Sequence, residues 1–447
     1  MMGAKKRDVN ANRELKNMVT GNEFVFDNIE QALDYVLDSE KKSLANDQYR
    51  QSPPMVFRPM SSMGMFPSID GNKPVPLDSL DYPLTAWFNT ISDDKFVMTR
   101  LFSGRYSLKP NLCNRHYLFR GESEFHSPCK PNLFRNPKQH RFTGELAKGQ
   151  EMMLLMLSHP LVQLLDIGVE LDGKLCQFEM NLLGLTQHYY NKSSLLDLTS
   201  DPQVAAFFAT TTYDWTSDTY SPILDSHHKP GVLYYYTLDI NQDFGVHSDG
   251  RKSPLSTIGL QVFPRSGSQK GFLYTHSQNE NFNDVPRLNA VRFRHDAIVA
   301  KRIFNRFNSG DNLFPDDILM KHWKRTNRDS VILSNRTAML NRHFNPEMSI
   351  LQVETELKAL GYEILDYKPT FTDTELDEYY AIVQTTDLWQ EFCNQIHIPG
   401  DVNGKMMEDL LNLPDNPKYC WAFKRDENHV TDYRLGYLMS QFRQCLL

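Results

Sequence analysis

Cysteine is sparse in this chain. The six in 447 residues (Cys113, Cys129, Cys176, Cys393, Cys420 and Cys445) are scattered, with no C-x-x-C pair and no cysteine–histidine spacing of zinc type. This argues against a disulfide framework or a zinc module, and it predicts free, packed thiols in a reducing cytoplasm and no bound metal. No stretch approaches the roughly 20 apolar residues of a membrane span, so no membrane partner is expected. An excess of positive charge is also missing. Lys plus Arg number 48 against 55 Asp plus Glu, for a net charge of −7, and a dedicated nucleic-acid surface needs clustered cations. There is no glycine-rich phosphate loop of Walker or dinucleotide-fold type and no G-x-S-x-G elbow. His227-His228 has no further ligand at metal spacing. Met1 to Asn17 is charged and lacks the apolar core of a signal peptide, so a cytoplasmic protein is expected.

What is present is ordinary globular material: 40% hydrophobic and 23% charged residues, enough chain for two or three domains with a substantial core. Periodicity predicts a helix over 24–42 and an irregular Pro/Met-rich arm over 52–83, with Met55, Met60, Met63 and Met65 in it. Helical patterns follow over 84–101, 143–165, 173–185 and 201–211, the last opened by Thr199-Ser200-Asp201-Pro202. The period then changes. Strands are expected over 231–240, 258–263, 271–275 and 290–294, then a helix over 296–307. From Asp311 the pattern is charged and helical, over 316–326, 348–360, 373–396 and 402–411. The expectation is an α+β fold: a mixed or antiparallel sheet flanked by helices, then a mainly helical C-terminal region. The divisions are 1–83, 84–310 and 311–447.

Three segments carry chemistry. In the first, an apolar run leads into Phe119-Arg120-Gly121: a planar fork of donors suited to a phosphate or carboxylate, then a residue that permits close backbone approach. The second runs from Gln187-His188-Tyr189-Tyr190 through Leu195-Leu196-Asp197-Leu198-Thr199-Ser200 to Ala205-Ala206-Phe207-Phe208-Ala209. The third is Pro264-Arg265 followed by Gln269-Lys270-Gly271-Phe272. Taken singly, each has a structural reading. Arg120 reads as a strand-end ion pair, with Asp197 as one partner; His188 reads as a core histidine. Thr199-Ser200-Asp201-Pro202 reads as a helix start, and Gln269-Lys270-Gly271 as a turn.

Together they resemble the FRG domain family, over about Leu84 to Phe307. That family shows an H-Y-G-x-x-T-R-L-L-D-W-T stretch, an A-x-x-F-A helix, and an arginine followed four residues on by glutamine and six on by glycine. Arg265, Gln269 and Gly271 keep the last spacing, whereas Tyr190, Ser194 and Leu198 stand where the family has glycine, arginine and tryptophan. The segments are also similar, more distantly, to ADP-ribosyltransferases of the arginine-serine-glutamate class. That resemblance implies NAD as co-substrate. It implies a catalytic set of Arg120, His188, Ser200 and Gln269, and a cofactor-binding set of Arg120, Asp197, Thr199 and Ser200. Arg120 would meet phosphate, Ser200 with Thr199 the ribose, and His188 a ribose hydroxyl. The class uses a glutamate where this chain has Gln269; Glu122 and Glu280 are the nearest acids in sequence that could replace it. The alternative expectation is a non-catalytic binding or regulatory module with structural FRG segments.

Overall fold

Side-chain alternation decides how the central sheet is layered. The computed structural model describes residues 24–45, 65–67, 74–76 and 95–425, apart from 102, 113, 136–141, 191, 215–216, 240–242, 244–253 and 327–329. Seven strands form the sheet: β1 Val25–Phe26, β2 Tyr117–Glu122, β3 Leu195–Thr199, β4 Gly231–Thr237, β5 Leu255–Thr257, β6 Gly271–Thr275 and β7 Leu288–Phe293. Their order is β1-β7-β4-β2-β3-β6-β5. Only the β1–β7 pair is parallel. The helices used below are α1 Ile29–Ala45, α2 Phe142–Leu157, α3 Pro160–Ile167, α4 Leu182–Tyr190, α5 Pro202–Thr210 and α6 Ala297–Arg306.

One face of the sheet presents Tyr117, Phe119, Leu233, Tyr235 and Phe293, and buries them under Leu33 and Val36 of α1, Phe207 of α5 and Ile303 of α6. The other presents Leu118, Leu198, Tyr234, Tyr236 and Phe272, covered by Leu112, Cys129 and Phe282. The fold is α+β, with a mixed sheet flanked by helices. Asp201 and Asp296 start α5 and α6 by accepting backbone N–H groups, at 2.9 Å from Gln203 and 2.8 Å from Ile298.

A second core joins α2, α3 and α4 to the C-terminal part of the chain. Leu154, Leu161 and Leu185 share one apolar cluster with Leu319, Trp323, Phe371, Trp389 and Phe423, and Ile396–His397 adds a parallel strand beside Phe96–Arg100. Glu151 of α2 is fully buried and clamps this joint. It accepts from Ser334 N at 3.1 Å and from the Thr337 and Tyr367 hydroxyls. Burial pushes its carboxyl above the ordinary range, against those three donors.

Several elements differ from the sequence expectation. Phe96–Arg100 is a strand, not part of a helix, because it is buried and paired on both sides, by Tyr106–Pro110 and Ile396–His397; 84–94 lies outside the described residues. The 173–185 helix is instead a hairpin, Val169–Leu171 with Lys174–Cys176, and then the start of α4. Asp172 and Gly173 hold φ of 49° and 71°, the Asp-Gly hairpin signature. The 143–165 helix is broken into α2 and α3 by Ser158-His159-Pro160. The strand expected over 258–263 is irregular, with Gly259 at φ 67° against the Leu108 carbonyl. The 52–83 arm lies outside the described residues except for the pair Met65–Pro67 with Pro74–Pro76. Among the described residues, no helix is long and apolar enough to cross a membrane.

His159 joins the two halves. Its Nδ1 accepts the Leu161 N–H at 3.2 Å as the cap of α3, and its ring meets Phe263, Phe371 and Tyr379 edge-on. Burial lowers its pKa from the ordinary 6.5 to about 3. The unfolded chain therefore takes up this proton near pH 6.5 and the folded chain only near pH 3. Stability is fully present above 6.5 and is lost as pH falls toward 3, with a slope approaching about 1.4 kcal/mol per pH unit. His159→Asn keeps a capping oxygen but cannot titrate. Urea denaturation between pH 7 and pH 4 is expected to give a shallower pH dependence for the variant than for the wild type.

Candidate functional site

The sheet is interrupted at its centre. β2 and β4 pair along their whole length, from Tyr117↔Thr237 to Glu122↔Val232, whereas β2 and β3 pair at one position, Phe119↔Thr199. Beyond that pair the strands part and a cleft of about 690 Å³ opens, lined by both. Arg120 spans the gap: Nη1 donates to the Asp197 carbonyl at 2.9 Å, while Nε and Nη2 donate to Glu122 Oε1 at 3.0 and 2.7 Å. Arg120 thus pairs with the Glu122 carboxylate and takes only the backbone of Asp197. Residues i and i+2 of a strand share a face, so this pair could have been read from the sequence. Burial alone would lower the Arg120 pKa, but Glu122 beside it raises it overall. Burial would raise the Glu122 pKa, and Arg120 then Arg135 lower it below the ordinary range. Cys129 lies 3.6 Å from Glu122, and burial and that carboxylate push its thiol up to about 12.

Across the cleft, His188 at the end of α4 is held by Gln269. The Leu313 carbonyl can only accept, so Gln269 Nε2 faces it at 3.1 Å and Gln269 Oε1 faces the ring. His188 Nδ1 is then the donor, at 2.9 Å. Burial, with a smaller push from Arg265, lowers the His188 pKa against the pull of Asp197 and Gln269. The ring is neutral at pH 7, with a bare lone pair on Nε2. That atom is buried without a hydrogen-bond partner, and so is Asp197 Oδ1, 3.7 Å away. The other Asp197 oxygen accepts from Gln187 Nε2 at 2.9 Å. Gly271 makes room for the ring, since a Cβ there would sit 3.0 Å from Nε2.

Arg120, Asp197, His188, Thr199 and Gln269 all line this cleft. Thr199 is committed within the protein: its hydroxyl donates to the Gln269 carbonyl at 2.7 Å and accepts from Asp201 N at 3.0 Å. Ser200 is 4% exposed and does not line the cleft; its N–H reaches the Lys270 carbonyl at 3.3 Å. Glu122 lines the cleft and Glu280 does not. Leu198, where the resembled family has tryptophan, is buried opposite Phe272, and Tyr190 bonds Glu145 through its hydroxyl. Residues that the site reading passed over also reach in: Arg265 over the Tyr189 and Phe314 rings, and Tyr220 stacked on Phe314. The Arg265-to-Gln269 spacing was the available signal.

The part of the chain that supplies β2, α4, β3 and α5 is a known module. Residues 115–218 match the FRG domain family. No curated protein and no solved structure matches the chain. The FRG span holds Arg120, His188, Asp197, Thr199 and Ser200 and ends before Arg265, Gln269 and Phe314, so later chain completes the cleft. Within the FRG domain, the triplet divides its labour by alternation. Phe119 is fully buried under α5, Arg120 bridges the split, and Gly121 meets α5 again.

A Cβ on Gly121 would lie 1.8 Å from the Ala205 carbonyl and 2.8 Å from the Ala209 Cβ. The alanines of the A-x-x-F-A helix and the glycine of the triplet are therefore two sides of one close helix–strand contact. Gly121→Ala forces α5 off the sheet, and is expected to cost roughly 3 kcal/mol or more in urea denaturation.

Proposed function

We propose that the FRG cleft is an ADP-ribosyltransferase-like site that binds NAD or a related nucleotide. The observation that carries this reading is the pair of bare acceptors, His188 Nε2 and Asp197 Oδ1, buried side by side at 3.7 Å. Two buried acceptors without donors are costly. A ribose cis-diol supplies two hydroxyl donors at the spacing of adjacent carbons, one for each acceptor. Arg120 has five N–H groups and commits three of them internally, so the remaining edge of its guanidinium serves the ligand. The cleft volume of about 690 Å³ lies in the range of small-molecule sites.

Loss of nicotinamide from NAD passes through an oxocarbenium-like state, as in glycoside cleavage. Gln269 is neutral, with its amide held at both ends, and Glu122 is neutralised by Arg120. Asp197, with its side chain 37% exposed, is the carboxylate that faces the ribose and opposes the developing positive charge. The committed amide of Gln269 also supports a second reading, in which the cleft binds the nucleotide without turning it over.

Asp197→Asn separates ligand binding from structure. The new amide oxygen accepts from Gln187 and the new N–H faces His188 Nε2, so both orphans are satisfied without a ligand. Thermal stability is expected to hold or rise by about 1 kcal/mol, while calorimetry shows NAD affinity reduced at least tenfold. In the wild type, affinity is expected to be flat above pH 6.5 and to fall below it. There His188 gains its second proton and Nε2 turns from acceptor to donor toward Asp197; Arg265 is the other charge acting on the ring. Equal NAD affinity in wild type and Asp197→Asn would overturn the reading. Incubation with labelled NAD then distinguishes turnover, seen as released nicotinamide, from binding alone.

A further inference from the structure

The cleft contains several cations, and all but one are matched to a carboxylate. Arg120 and Arg135 both pair with Glu122, at 2.7 and 3.4 Å. Lys324 pairs with Asp218. Arg265 is different: it is 8% exposed, its Nε is buried without a hydrogen-bond partner, and among the described residues no carboxylate lies within ion-pair distance of it.

Two aromatic rings lie against it. The guanidinium carbon lies 4.7 Å from the Tyr189 ring centre and 5.5 Å from that of Phe314. Tyr189 is tethered through its hydroxyl to Asp317, and Phe314 is stacked on Tyr220 at 4.8 Å. Ring contacts fix the plane of an arginine and leave its N–H edge for an acceptor. Asp317 does not fill that role. Its oxygens accept the Tyr189 hydroxyl and the Met320 N–H; burial pushes its carboxyl above the ordinary range and Arg265 pulls against that shift, so the two charges act on each other without a hydrogen bond between them. A buried guanidinium with no carboxylate hydrogen-bonded to it gains from an anion that reaches its free edge.

We propose that Arg265 is the anion anchor of the cleft and that it takes two oxygens of a phosphate or pyrophosphate group as a planar fork. The proposal rests on the nucleotide reading for the identity of the whole ligand, but the anchor itself needs only the phosphate. It also accounts for a spacing. Gln269 closes the turn that Arg265 opens, its N–H bonding the Arg265 carbonyl at 3.0 Å, and Gly271 clears space for His188. One turn thus carries the anchor, the amide that orients His188, and the glycine that admits its ring.

The test titrates the full chain with three probes: inorganic pyrophosphate, nicotinamide riboside and NAD. Arg265→Met keeps the bulk beside the rings and removes a buried charge that no carboxylate hydrogen-bonds, so its melting temperature is expected to match or exceed that of the wild type. Its affinity for pyrophosphate and NAD is expected to fall at least tenfold, with nicotinamide riboside unchanged. Asp197→Asn is expected to do the reverse, losing the riboside and keeping pyrophosphate. A wild type that does not bind pyrophosphate, or a folded Arg265→Met that binds it as well as the wild type does, overturns the anchor. Pyrophosphate bound through Arg265 by a protein that does not bind NAD or the riboside supports the anchor and overturns the nucleotide reading.

Discussion

The structure depends on one guanidinium spanning a break in a sheet. β3 pairs fully with β6 on one side, from Gly271↔Thr199 to Thr275↔Leu195, but leaves β2 after a single position. A buried carbonyl in the middle of a sheet requires a donor, and Arg120 supplies it to Asp197 from the neighbouring strand. The same side chain keeps Glu122 ionised in a buried site. Removing either partner would strand the other, which is far costlier than never having made the pair. The break is thus stable, and because it stays open the molecule has a cleft at the centre of its fold.

The cleft is not the property of the FRG segment alone. Gln269 is oriented by the Leu313 carbonyl, and Arg265 is flanked by Phe314. The apolar cluster around α2, α3 and α4 runs without interruption into Trp323, Phe371 and Phe423. The mainly helical C-terminal part therefore shares a core with the FRG region and supplies part of its site. His159, caged by Phe263, Phe371 and Tyr379, and Glu151, clamped by Ser334, Thr337 and Tyr367, lie at that joint.

Much of the fold was legible where a single period dominates. Gly271–Thr275 and the aromatic Gly231–Thr237 alternate as strands do, and Asp201-Pro202 and Asp296 mark helix starts that the structure uses. Legibility failed where short apolar runs fit either period. Phe96-Val97-Met98 reads as helix or strand until its neighbours Tyr106–Pro110 and Ile396–His397 are known, one of them some 300 residues away. The 173–185 region differs for another reason: Asp172-Gly173 turns the chain into a hairpin whose strands, Val169–Leu171 and Lys174–Cys176, are too short to show a period.

For the cleft, the sequence by itself picked out residues that turn out to be neighbours. The FRG triplet, the His188-to-Ala209 stretch and the Arg265–Gln269–Gly271 spacing identify residues that the fold brings to one place, with Ser200 held aside. The close approach that glycine permits at position 121 was legible as well; that Ala205 and Ala209 fill it came from the structure. Only the tertiary structure decided the state of each charge: Arg120 paired with Glu122, Arg265 beside two rings with no carboxylate at ion-pair distance among the described residues, and His188 neutral with its bare nitrogen toward Asp197. The reason is physical. Coulombic and hydrogen-bond energies fall off over a few ångströms of space, and spacing along a chain does not report the distance between segments 80 residues apart.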